Sequence, residues 1–210
     1  MTKNKLTAFL FCNLAITIFE VIGLVISFAQ IGLEAFKYYT ELSNLLLFVA
    51  SVVNIFFATR TIVAKKTTLP KPVWLLFYSA ISTTTLTFLV VVFVLSWMYN
   101  GLLFVLTTGS MLYTHTICPI LGILCFILFA PKIFTKKYAL LATSLTGLYG
   151  LVAIILNILH IWRGPYPFLY VHEQPVWASI AWLIGILGGA YGITRLLLVG
   201  KITKNKHAKL

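Results

Sequence analysis

Charge is scarce in this chain. Only 10% of its 210 residues are charged, against roughly 25% in an ordinary soluble domain. A compact sphere of this length could not hide the 60% of residues that are hydrophobic, so most of the surface must face lipid. Segments of about ten residues with alternating apolar and polar positions are also missing, which excludes a transmembrane β-barrel. No repeat period stands out. Only three cysteines occur, Cys12, Cys118 and Cys125, all inside apolar runs. None forms a close metal-type pair, so they read as small apolar side chains.

What the chain does have is a formal charge of +12 and six long apolar runs. The basic residues gather in short clusters between those runs instead of forming a stripe on one surface. The backbone-tracking face that nucleic-acid binding needs is therefore absent. The runs cover about 6–30, 38–59, 73–98, 110–130, 138–161 and 176–199, each long enough to cross about 30 Å of hydrocarbon as a helix. The expected fold is an all-α integral membrane protein, one bundle of six transmembrane helices spanning residues 1–210. Ser27-Phe28-Ala29 resembles a weak signal cleavage site, but the first run is too long for a signal peptide core and contains Glu20.

Lysine and arginine set the expected direction. Fourteen of the sixteen fall on the side that holds both termini, and only Lys37 and Arg163 fall on the other. Positive residues favour the cytoplasmic side, so both termini are expected there. Residues 200–210 form a basic tail that reads as a topology determinant touching anionic lipid. Trp97, Tyr99, Trp162, Tyr166, Tyr170 and Trp177 lie near the outer boundary, where amphipathic rings settle. The longest outer connection, about 161–175, is long enough to cap a site. Gly185, Gly188, Gly189 and Gly192 put small residues on one face of the sixth span, as close helix packing would require.

Polar groups inside spans invite a functional reading. Thr40 and Asn44 share a helix face at i, i+4, and Asn157 and His160 share another at i, i+3. At about 1.5 Å per residue, Thr40 lies about 3 Å and His115 about 7 Å along spans entered from outside. Glu20 sits outward of the centre of the first span and His160 at the outer end of the fifth. All six are therefore candidates for one polar pocket in the outer half of the membrane. Each also has an ordinary structural reading: Thr40 bonding back to its own helix, Glu20 paired with a neighbouring helix, His160 a boundary residue. Thr83, Thr84, Thr85 and Thr87 read as packing and back-bonding. Pro119 is expected to kink the fourth span and free a nearby carbonyl.

Two strings carry a resemblance. Tyr38-Tyr39-Thr40-Glu41-Leu42-Ser43-Asn44-Leu45 opens the second span, and Tyr113-Thr114-His115-Thr116-Ile117-Cys118-Pro119 opens the fourth. With Pro165-Tyr166-Pro167-Phe168-Leu169 in the last outer loop, the chain resembles the androgen-induced and androgen-dependent TFPI-regulating membrane proteins and their bacterial relatives. Low Asp content and many Lys and Asn point to a bacterial plasma membrane. The resemblance implies a threonine hydrolase acting on fatty acid esters of hydroxy fatty acids, with Thr40 as nucleophile and His115 as base. On that reading Asn44 would donate to the oxyanion, and Glu20 or Asn157 would orient His115. Acyl chains would enter sideways from the outer leaflet, and neither metal nor cofactor is called for. Two other readings stand beside it: a lipid-binding protein or transporter without chemistry, and a haem protein ligated by His115 and His160. Membrane lipids and a fatty-acyl ester are the expected partners; no nucleic acid is, and the sequence does not set an oligomeric state.

Overall fold

The structure is a computed structural model and describes residues 1–199 and 201; the basic tail from 200 onward, Lys201 apart, lies outside them. Among the described residues there are seven helices and no strand. They are α1 (Lys3–Ile31), α2 (Tyr39–Val63), α3 (Lys71–Met98), α4 (Leu102–Thr107), α5 (Leu112–Phe129), α6 (Lys137–Ile158) and α7 (Val176–Leu197). Six are long and apolar enough to cross a membrane, and α4 is the short exception.

The helix ends follow local chemistry. Thr2 caps α1 by accepting from the Lys5 N–H at 3.3 Å. Gly32, at φ +57°, ends α1 with its N–H on the Phe28 carbonyl. Pro72 sits in the first turn of α3, where a missing N–H costs nothing. Pro119 coincides with a change of winding. A proline ring crowds the carbonyl four residues back, here His115, and Leu112–Ile117 winds as π-helix just ahead of it. A second π-helical turn, Val91–Leu95, lies in the outer part of α3.

α3 is the centre of the bundle. It packs on α2, α5, α6 and α7, and every residue from Phe77 to Thr87 is buried. Its hydroxyls do not demand outside partners. Ser82 bonds the Tyr78 carbonyl, Thr84 that of Ala80, Thr85 that of Ile81 and Thr87 that of Thr83, at 2.6–3.2 Å. The threonine run is thus packing and back-bonding, as its sequence suggests. At the terminus end, Phe9, Trp74, Phe77, Tyr78, Phe126 and Phe134 form an aromatic core. Across α1–α2, Asn54 donates to Asn13 at 2.9 Å, both fully buried.

The small-residue face of α7 departs from expectation. A Cβ added at Gly185, Gly188, Gly189 or Gly192 would meet no atom within 4 Å, so these glycines do not serve packing within the chain. Close approach occurs elsewhere. At Gly23 of α1 an added Cβ would lie 2.8 Å from the Tyr113 Cβ and 3.2 Å from the Thr114 Cγ2, against the histidine segment of α5. Gly23→Ala should therefore destabilise the protein by about 1–3 kcal/mol through overpacking, whereas Gly189→Ala should not. Denaturant unfolding in detergent would show the contrast, and equal effects would refute the close contact.

Candidate functional site at the Thr40 end of the bundle

Tyr38 precedes α2 in extended backbone, which places Thr40 in the first turn, where N–H groups lack helical acceptors. The Tyr166 hydroxyl, from the 159–175 loop, fills that gap. It accepts from the Thr40 N–H at 3.3 Å and lies 3.4 Å from Thr40 Oγ1. Burial pushes the Tyr166 phenol up to about 12, against the lowering effect of Thr40, so it stays a neutral hydroxyl that can donate. Thr40 and Tyr166 sit on the wall of an apolar cavity between α3, α6 and α7. The space comes to about 760 Å³ when the open solvent at its mouth is included. Phe168 and Leu169 of the loop, with Trp182 of α7, line it further.

Asn44 joins the two sequence strings. Its amide donates to the Thr40 carbonyl at 2.8 Å and to the Thr114 carbonyl at 3.0 Å, the residue before His115. Both amide hydrogens are thereby committed, so the oxyanion donor expected at Asn44 is not free. Tyr166, missed as a site residue in the sequence, is the hydroxyl beside Thr40 instead. Its place in the Pro165–Leu169 string was the available signal.

His115 sits inside the π-helical turn of α5. Its Nδ1 lies 2.7 Å from the Val105 carbonyl, and because a carbonyl only accepts, Nδ1 carries the hydrogen. Nε2 is then a free lone pair, the form a base requires. Thr116 donates to the adjacent Leu106 carbonyl at 2.8 Å. Together the two side chains satisfy the last turn of α4, whose carbonyls lack helical partners. No hydrogen bond joins the His115 ring to the Thr40 hydroxyl. The structure brings the backbones of the two strings together, but each functional side chain holds a different partner.

The other candidates fall elsewhere. Glu20 is fully buried and interacts with the Cys118 thiol and with Glu41 of α2, yet neither of its oxygens has a hydrogen-bond partner. It does not orient His115. Nor does Asn157, which organises the loop. Its amide donates to the Arg163 carbonyl, its Oδ1 accepts from the Val171 N–H at 3.2 Å, and its carbonyl is 3.1 Å from His172 Nε2. His160, at φ +56°, stacks on His172 with ring centroids 4.0 Å apart. His160 is thus engaged in the loop, whereas His115 sits in α5 with its Nδ1 on the Val105 carbonyl. α6 also stops at Ile158, three residues short of the expected span.

Comparison with known proteins adds no name. No family model matches the chain, and neither does any curated protein or solved structure.

The loop is tied down at a second point. Arg163 makes two hydrogen bonds to Glu173, at 2.6 and 2.5 Å, and lies over the Tyr170 ring. Arg163 holds the Glu173 carboxyl below its usual range. The pair's contribution is thus present at neutral pH and is lost as pH falls through that lowered range. Being exposed, it adds little, and the buried Asn157 is the stronger anchor. Asn157→Ala should loosen the loop at a cost of roughly 1–2 kcal/mol, read as faster protease cleavage between residues 161 and 175 with the helices intact. Unchanged cleavage would show that Asn157 is not the anchor.

Proposed function

We propose that this chain crosses a plasma membrane six times, with both termini in the cytoplasm, and hydrolyses a fatty-acyl ester bound in the Thr40 cavity. The observation that carries the reading is the position of Thr40: a buried hydroxyl on the wall of an apolar cavity, within reach of a neutral Tyr166 hydroxyl. The likeness of the two strings to a threonine hydrolase family supports it, and so does the tautomer of His115, which leaves Nε2 open.

In this mechanism Thr40 Oγ1 attacks the ester carbonyl carbon, forming a new C–O bond. Its proton passes to His115 Nε2 and then to the departing alcohol oxygen as the old C–O bond breaks. Water, deprotonated by the same nitrogen, releases the acid and restores the threonine. Tyr166 can donate to the oxyanion in both steps. His115 is not among the residues that line the cavity, so the bond between Thr40 and Tyr166 must give way to one toward Nε2, or a water must bridge the gap; catalytic contacts often tighten only around substrate.

A second reading is lipid binding without chemistry. It is favoured by one observation, that the Thr40 hydroxyl and the His115 ring are each engaged with other partners. Fluorophosphonate labelling of purified protein separates the two. Hydrolysis predicts a labelled wild type, no labelling of Thr40→Ala, and labelling of His115→Ala slowed about 10²–10⁴-fold. A folded wild type that never labels would leave the binding reading alone.

A further inference from the structure

The lining of the cavity says what kind of ester it accepts. Of the twenty residues around it, none is Asp, Glu, Lys, Arg or His. Its hydroxyls are mostly spent within the protein. Tyr39 pairs with Thr146 at 2.7 Å, Tyr149 donates to the Lys37 carbonyl at 2.8 Å, and Thr87 lies 3.0 Å from Ser43. Ser179 accepts from Gln174 at 3.0 Å. The Thr40–Tyr166 pair, at 3.4 Å, is the most loosely held and has capacity to meet a ligand oxygen, as does the Ser179 O–H, which accepts from Gln174 without spending its own hydrogen.

The rim offers no counter-charge either. Among the described residues, two lysine or arginine side chains lie at this end of the bundle, Lys37 and Arg163. Lys37 is paired with Glu34 and Arg163 with Glu173. A carboxylate or phosphate placed in the cavity would lose its water and gain no cation, a cost that apolar burial of its chain does not return.

We infer that the cavity is selective for uncharged acyl esters, a fatty-acyl chain joined to an uncharged alcohol, and rejects free fatty acids and anionic headgroups. This inference rests on the cavity being the ester site proposed above. It sets the chain apart from the substrate the resemblance implies, because an ester of a hydroxy fatty acid keeps a free carboxylate. It also eases product release. Hydrolysis of a neutral ester adds water across the C–O bond and yields an alcohol and a carboxylic acid. The acid ionises at neutral pH, and the same lining that admitted the ester then disfavours the product.

Trp182 reports on occupancy because it lines the cavity, 5.6 Å from Phe168 of the loop. Protein in maltoside micelles would be titrated with three single-chain probes carrying the same dibrominated stearoyl group: a glycerol monoester, the free acid at pH 8, and a lysophosphatidylglycerol. Bromine quenches nearby tryptophan, and the signal of Trp182→Phe subtracts the other four indoles. The expected result is saturable, Trp182-dependent quenching by the glycerol monoester at about a tenfold lower mole fraction than by either anion. Equal or stronger quenching by the acid or the lysophospholipid, or no saturable quenching by the monoester, would overturn the inference. Native mass spectrometry of the wild type with the same three lipids gives the ranking without any variant. Fluorophosphonate labelling stays an independent readout. Labelling with an anionic preference sinks the ligand class alone, and a neutral preference without labelling sinks hydrolysis alone.

Discussion

In the membrane proposed above, a polar group deep in this bundle finds its partner within the chain or goes without one. That constraint shapes the architecture alongside hydrophobic packing. In that setting lipid would solvate leucine as well as a neighbouring helix does, so apolar contact alone would not hold such helices together. What does is a small set of specific pairings: Asn54 with Asn13 across α1–α2, Asn44 between α2 and α5, Tyr78 on the Thr194 carbonyl between α3 and α7. α1 also approaches α5 tightly at Gly23.

The same constraint separates scaffold from site. Asn44 and Asn157, both expected in the polar pocket, satisfy backbone carbonyls, and His115 does so through Nδ1 while Nε2 stays open for the proposed chemistry. Glu20 is one of the exceptions, with Ser51: a buried carboxyl with no hydrogen bond among the described residues, beside Cys118 and Glu41. The pair that does face empty space is Thr40 and Tyr166, and it stands where α2 begins and the long loop folds down. A helix start supplies unpaired N–H groups and a loop supplies reach, so their meeting point is where a hydroxyl can be held without being used up.

Much of the fold was legible because it depends on long-range averages. Six apolar runs and proline-marked turns suffice to place six helices within a few residues. Short elements escaped: α4, with six residues, carries no run of its own, and α6 ends early because His160 adopts a left-handed backbone that hydropathy does not register. In the site, Thr40 was legible as a candidate from its string, whereas Tyr166, though inside the Pro165–Leu169 string, stood out in the sequence only as a boundary aromatic with no role beside Thr40. Which polar residues converge depends on helix rotation, and period alone does not fix rotation between helices. The α7 glycines make the same point, since their stripe was real but the neighbour expected beside it is not there.

The way α3 handles its hydroxyls bears on biogenesis. On the membrane topology proposed above, a helix destined for the middle of a bundle would enter the bilayer before all its neighbours exist, and exposed hydroxyls would then be stranded in hydrocarbon. In α3 the hydrogens of Ser82, Thr83, Thr84, Thr85 and Thr87 already point at carbonyls of the preceding turn. The helix therefore carries its own solvation, and with a mean hydropathy of 1.9 it can leave the translocation machinery alone. Later helices then assemble against a strut that is already complete, and small side chains that cost little to insert become the surfaces on which they close.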